Sequence, residues 1–386
     1  MKKKVLAALL STAMVAALLS GCGGKADEPA APAETEAPAE TEAPAESEEP
    51  AESETPAADA GSMSFEIVSK GLQHEYWQAV KQGVESKAAE LGVTVNFVGP
   101  DSESNIDQQV QQLENALNAN PTAIGLAALD TESVKGQLQT CLDKSIPVIG
   151  FDSGVPGAPE GSVLANCSTD NYAAGALAAE KVYEAVKGRI DGTVRIGVVA
   201  QDATSESVVN RGLGFIDKFA ELAVADGHTA TVVGNEKYIS DSKCEKTDGA
   251  NVVIDVRVPA QVTSDASLAD VNSLLGEDGI IALYGSNEHS ANAIISAAEN
   301  HSEIGVGDDK VIAAGFDSGS AQIEAVKNGV LLGAITQAPV AMGEILVQTL
   351  YDAAQGNPVS DADTGCQWYT AENIENPEIW DNLYGK

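Results

Sequence analysis

Aromatic side chains are scarce in this chain, 4% of 386 residues, and bases are scarcer than acids: 22 Lys and Arg stand against 58 Asp and Glu. A formal net charge of -36 repels nucleic acid and anionic lipid surfaces and disfavours polyanionic ligands. Four histidines (His74, His228, His289, His301) lack the spacing of a metal site. Asp361-Ala-Asp363-Thr-Gly365 starts like a calcium loop but lacks the downstream Glu. Gly212-Leu-Gly214 lacks the third glycine of a dinucleotide loop. Gly150-Phe-Asp-Ser-Gly154 carries Ser in its fourth place, where a nucleophile elbow needs it in the third, and no His partners it. These absences leave neither a catalytic centre nor a cofactor, and a neutral or cationic small molecule is the ligand class that remains.

The apolar run at residues 5–19 is too short to span a membrane comfortably and follows the basic Lys2-Lys3-Lys4, the pattern of an export signal. It closes with Leu19-Ser20-Gly21-Cys22, which resembles the lipobox of bacterial lipoproteins. The resemblance implies lipidation of Cys22 and anchoring to the outer face of the cytoplasmic membrane. Residues 23–62 repeat a Pro/Ala/Glu/Thr beat of six residues. That composition buries too little apolar surface to offset the entropy of ordering, so the segment reads as an acidic, disordered tether. Its length suits the thick wall of a Gram-positive cell. It holds 12 of the acids and one lysine, and three more lysines lie at positions 2–4, which leaves 46 acids and 18 bases, a net of -28, for the rest.

Beyond the tether, short apolar runs alternate with helical periodicity. Strands are predicted at 65–68, 93–97, 123–129 and 146–151, with helices between them. The pattern then restarts, with strands near 194–200, 280–284, 311–316 and 333–336. Residues 228–262 are the least readable, two strand-like runs around a polar insert. Continuous apolar runs between amphipathic helices make parallel, doubly wound sheets. Gly-Phe-Asp-Ser-Gly occurs twice, at 150–154 and at 315–319, each time ending such a run. An Asp at the carboxyl end of a parallel strand lies where open α/β sheets bind ligands. Two such ends, in two halves of the chain, predict two α/β lobes facing a cleft.

Several ordered elements together resemble the ribose/galactose-type periplasmic binding proteins, the sugar-capturing subunits of ABC importers. They are Tyr76-Trp77, the Ile-Pro-Val-Ile-Gly-Phe-Asp-Ser strand, Thr169-Asp170-Asn171, Arg211-Gly-Leu-Gly-Phe215, Gly285-Ser-Asn287-Glu288, the Gly-Phe-Asp317 strand and Thr336-Gln337. The resemblance implies the type I fold, two doubly wound lobes joined by a three-segment hinge. Crossings near 168–170, 337–339 and 358–362 would divide the chain into one lobe of 63–169 plus 338–359 and another of 170–337 plus 360–386. It also implies a cleft in which Tyr76 and Trp77 pack on a sugar ring. Asp152 and Asp317 accept from hydroxyls, Arg211 forks between oxygens, and Asn287 and Gln337 both donate and accept. Lys70, His74 and Ser153 stand where the family carries other polar residues, and Lys70 matches relatives that bind autoinducer-2. The family's central aromatic of the second lobe has two candidate positions, Tyr238 and Val262.

The implied function is a monomeric, non-enzymatic lipoprotein. It closes on a monosaccharide-like ligand and delivers it to a membrane permease with its ATPase, without nucleic-acid partners or cofactors. The same cleft as a sensor of autoinducer-2 or a sugar is the alternative. The lactose-repressor type of regulator shares the fold, but the export signal and the missing DNA-binding helix pair argue against it. The bland readings are that both Asp residues only cap helices, that Tyr76 and Trp77 staple a core, and that Arg211 and Asn287 serve structure alone. If Cys141, Cys167, Cys244 and Cys366 pair by lobe, the bridges are Cys141–Cys167 and Cys244–Cys366; buried free thiols are the other outcome.

Overall fold

A computed structural model describes residues 63–386. The expectations for the export signal, Cys22 and the tether lie outside these residues.

The first sheet is built from β1 (Ser64–Val68), β2 (Thr94–Val98), β3 (Ala123–Leu126), β4 (Val148–Phe151) and β5 (Ala165–Ser168). Helices α1 (Glu75–Leu91), α2 (Ile106–Asn118) and α3 (Lys135–Asp143) connect its strands. The chain then enters a second array: α4 (Asn171–Val186), β6 (Val194–Val199), α5 (Glu206–Ala225), β7 (Ala230–Gly234), α6 (Glu236–Asp241) and β8 (Val252–Arg257). It continues through α7 (Ser264–Leu275), β9 (Ile280–Gly285), α8 (Glu288–Ala298), β10 (Ile312–Phe316), α9 (Ser320–Lys327) and β11 (Gly333–Gln337). Next come α10 (Pro339–Ala354), β12 (Ala362–Asp363), β13 (Cys366–Tyr369) and α11 (Pro377–Trp380).

Strand order is β12-β5-β4-β3-β1-β2 in one sheet and β13-β11-β10-β9-β6-β8-β7 in the other. Every pairing is parallel except β11 with β13. β3, β4 and β10 are buried at every residue, as apolar runs covered by helices on both faces must be. The chain passes from the first sheet to the second after β5 and returns after β11, so α10 packs on α1 in the first lobe. The last crossing falls between β12 and β13, later than the expected 358–362, because Ala362 and Asp363 still pair with β5.

Each lobe is locked by one close helix pair. A Cβ on Gly175 of α4 would run into the backbone carbonyl of Arg211 in α5, and one on Gly83 of α1 into that of Val340 in α10. Only glycine lets these backbones touch.

Among the described residues all four cysteines are free thiols, which overturns the lobe-wise pairing. Cys141 lies in the apolar cluster on one side of the first sheet and Cys167 in the cluster on the other. Cys244 follows α6 beyond β7, whereas Cys366 is in β13 at the opposite edge of the second sheet.

Candidate functional site

The carboxyl ends of the strands in the two lobes face one another, and the loops after them supply the side chains. Lys70 follows β1, Glu103 lies beyond β2, Asp152 follows β4 and Gln337 closes β11; Asn287 follows β9, Asp317 follows β10 and Arg211 lies on α5. Together with His74, Tyr76, Trp77, Val208 and Glu288 they line one inter-lobe cleft. Among the described residues this brings together nine of the ten residues expected at the site. The tenth, Ser153, is buried but lies outside the lining; its Oγ accepts from the Ser207 amide at 3.1 Å.

Asp152 and Asp317 occupy the same place in the two repeats, with the same backbone: φ is 59° at Asp152 and 85° at Asp317. Asp tolerates this left-handed conformation better than most residues. Neither carboxylate caps the helix that follows it. Asp152 Oδ1 accepts from Tyr76 Oη at 2.8 Å, while its Oδ2 lies 2.7 Å from Lys70 Nζ. Asp317 Oδ1 accepts from Gln337 Nε2 at 2.6 Å and Oδ2 from the Glu288 amide at 3.0 Å. Arg211 spans the gap, 3.9 Å from Asp152 and 3.8 Å from Asp317, with its guanidinium 4.0 Å above the Phe316 ring centre. Its Nε donates to Asn171 Oδ1 at 2.8 Å, and its Nη2 has no hydrogen-bond partner among the described residues.

The two aspartates titrate differently. Burial opposes ionisation of Asp152, yet Lys70 and Arg211 outweigh it and hold its carboxyl below the ordinary value. At Asp317 burial wins, helped by the nearby Glu288 carboxylate, and the group is pushed up to about 6. Burial also works against a charged His74, but Glu288 at 3.4 Å and Glu103 at 3.9 Å raise it to about 9.

Tyr76 and Trp77 are almost fully buried and meet edge to face, centroids 4.9 Å apart. Trp77 also packs on Phe151 in the first-lobe core, so the pair is at once core and cleft wall. Asn287 likewise serves twice: Oδ1 caps α8 by accepting from the Ser290 amide, and Nδ2 donates to Gln201 at 2.8 Å. Tyr238 is buried in the second-lobe core with its hydroxyl on the Asp202 carbonyl, and Val262 lines a neighbouring groove. Asp361 and Asp363 accept from the Asn166 and Asp170 amides, and no group of side chains fit to hold a metal ion exists among the described residues.

Sequence reasoning passed over Glu103, Glu288 and Tyr384. Glu103 accepts from Trp77 Nε1 at 2.6 Å and, across the cleft, from Gln201 Nε2 at 2.9 Å. Tyr384 donates to Glu288 at 3.1 Å while its ring stands edge-on to Tyr76. The space left between all these side chains is about 20 Å³, room for a single water-sized sphere. The lobes are shut on one another.

The profile of a periplasmic binding protein domain matches residues 65–358, about three quarters of the chain. This chain belongs to the periplasmic binding protein family. The D-allose-binding periplasmic protein of Escherichia coli is 22% identical over 315 residues, 80% of this chain and 90% of that protein. The ribose import binding protein of Haemophilus influenzae is 24% identical over 295 residues, 75% of this chain and 84% of its own. Among solved structures, a Brachyspira murdochii protein described as an ABC transporter, LacI family transcriptional regulator, is 34% identical with a TM-score of 0.68, covering 83% of this chain and 98% of its own. An ABC transporter solute-binding protein from Agrobacterium vitis with bound D-fucose is 26% identical, also at TM-score 0.68, over 83% and 100% of the two chains. The two parallel-sheet lobes are those of the type I periplasmic binding protein fold. The family and the curated relatives are binding proteins, not enzymes.

Proposed function

We propose that this periplasmic binding protein captures a monosaccharide-sized, uncharged polyhydroxy ligand between its lobes and hands it to an ABC importer. The observation that carries the reading is the row Asp152, Arg211, Asp317, two acceptors flanking a donor whose Nη2 is unpartnered. Vicinal hydroxyls both donate and accept, so they complete such a row. Charge-assisted bonds of this kind are the strong ones. The aromatic pair adds apolar wall for the C–H faces of a ring. Four carboxylates against Lys70, Arg211 and His74 weigh against a phosphorylated ligand. The relatives named for D-allose and ribose, and the one holding D-fucose, support the same class. The lipobox-like tetrapeptide and acidic tether support anchoring through Cys22 and a monomer held at the outer face of the membrane.

The test is a thermal-shift and calorimetric panel of monosaccharides, polyols, nucleosides and autoinducer-2. A ligand at about 100 times its Kd adds about 2.7 kcal/mol, which raises Tm by several degrees. A response to a sugar that falls by half or more in Asp317→Asn supports the site. A response to nucleosides or autoinducer-2 alone would replace sugar import with those ligands. Labelling with a fatty-acid analogue, lost in Cys22→Ala, checks the anchor.

A further inference from the structure

A tyrosine that belongs to the second lobe packs on the core of the first. Past α11, residues 382–385 are pinned to the second lobe. The Asn382 carbonyl accepts from Thr336 Oγ1 at 3.1 Å, and Leu383 is buried in the apolar cluster that holds β9, β10 and α8. The Tyr384 amide donates to Ser318 Oγ at 3.4 Å and the Gly385 amide to the Ser318 carbonyl at 3.0 Å. The Tyr384 ring leaves this lobe and packs on the first-lobe core, its centroid 5.8 Å from that of Tyr76. Its hydroxyl reaches back to the second lobe and donates to Glu288 Oε2 at 3.1 Å.

Both neighbours of this ring, Tyr76 and Glu288, line the inter-lobe cleft, whereas Tyr384 itself lines a separate outer groove of about 490 Å³. Glu75 and Gln78 of α1 and Pro339 and Val340 of α10 form the rest of that groove's wall. Tyr384 therefore stands as the partition between groove and cleft. A tyrosine suits the place, because its ring fills an apolar flank while its hydroxyl serves a carboxylate. With Oε2 held by Tyr384, Glu288 Oε1 lies 3.4 Å from His74 Nδ1, and the Glu288 amide donates to Asp317 Oδ2 at 3.0 Å. A ligand-facing side chain is precise only where neighbouring bonds fix its rotamer. The groove alone exceeds the roughly 300 Å³ at which small-molecule pockets begin, so a breach of the partition would make room for a second ring.

We propose that Tyr384 is a specificity-determining residue of the ligand site: it holds Glu288 towards the ligand and walls off the outer groove, so that the cleft takes one sugar ring and excludes a second on that flank. The inference rests on the reading of this cleft as a monosaccharide site.

Tyr384→Phe and Tyr384→Ala in the full chain test it. The ligands are the sugar that binds the wild type and disaccharides carrying that sugar linked through each of its hydroxyls in turn. Tyr384→Phe keeps the wall and loses the hold on Glu288, so Kd for the monosaccharide should rise roughly two- to tenfold. Tyr384→Ala also opens the wall, and for at least one linkage the ratio of disaccharide to monosaccharide Kd should fall by about tenfold or more. Without added sugar, amide hydrogen exchange at residues 287–289 should be faster in Tyr384→Ala, with β6 unchanged. Wild-type affinity in Tyr384→Phe, or an unchanged ratio for every linkage in Tyr384→Ala, would overturn the proposal. If no sugar binds the wild type, the reading of the cleft falls instead. The exchange then decides alone, and unchanged rates at 287–289 would remove Tyr384 as a partition.

Discussion

Asp317→Asn separates affinity from stability. The substitution keeps shape, and Asn accepts a φ of 85° as readily as Asp, so the backbone adds no new strain. Its amide offers one acceptor oxygen to two donors, the Gln337 amide at 2.6 Å and the Glu288 amide at 3.0 Å. One of them is left unsatisfied, at about 1–3 kcal/mol. Against that, the folded state no longer holds a buried charge. A carboxyl pushed up from 3.8 to about 6 carries a penalty for ionisation of about 3 kcal/mol at neutral pH. The two effects nearly cancel, and the variant should melt within a few degrees of the wild type. Affinity has no such offset. A ligand hydroxyl loses a charge-assisted acceptor worth about 1.5–3 kcal/mol, so Kd should rise by roughly 10- to 150-fold. Paired calorimetric titrations and melts at pH 7 read both numbers. Wild-type affinity in the variant would remove Asp317 from the site, and a collapsed Tm would show that its role is structural.

Three further outcomes follow from the geometry. His74 is raised to about 9 from an ordinary 6.5, so its stabilising contribution is complete below pH 6.5 and lost as pH climbs through 9. Melts between pH 6 and 10 should show a loss of about 3 kcal/mol that is absent in His74→Gln, and parallel curves would refute it. Gly175→Ala drives a methyl into the Arg211 carbonyl and should cost about 1–3 kcal/mol in urea unfolding, whereas Gly188→Ala, with open space around it, should cost far less. Alkylation of the denatured, unreduced protein should label Cys141, Cys167, Cys244 and Cys366; any protected pair would contradict the placement of their strands.

The two lobes were legible in the sequence because fully buried parallel strands such as 148–151 and 312–316 have to be continuous apolar runs. The late crossing was not legible. β12 is two residues long and β13 mostly half-buried, so neither carries a period. At the site, Asp152 and Asp317 announced themselves through the repeated pentapeptide at strand ends. Glu103 sits in a serine-rich loop, where a charge reads as solvated surface; its burial is created by Trp77 and Gln201 from two different lobes. Glu288 follows an Asn287 already singled out, and an acid in the first turn of α8 looks like routine dipole compensation. Lys70 was found by position, but its ion pair with Asp152 and its bonds to Ser205 and Ser207 are visible only in the folded chain.

The bond between Trp77 and Glu103 has a practical consequence. Of the three tryptophans, Trp368 and Trp380 belong to β13 and α11 in the second lobe, while Trp77 alone points its indole N–H at a carboxylate that is also held from the facing lobe. Separation of the lobes withdraws Gln201 and lets water reach Glu103, which changes the field along the indole. On the proposed capture between the lobes, Trp77 is a built-in optical gauge of that motion. Emission from Trp77 should follow the motion in real time without any attached dye, over a constant background from the other two.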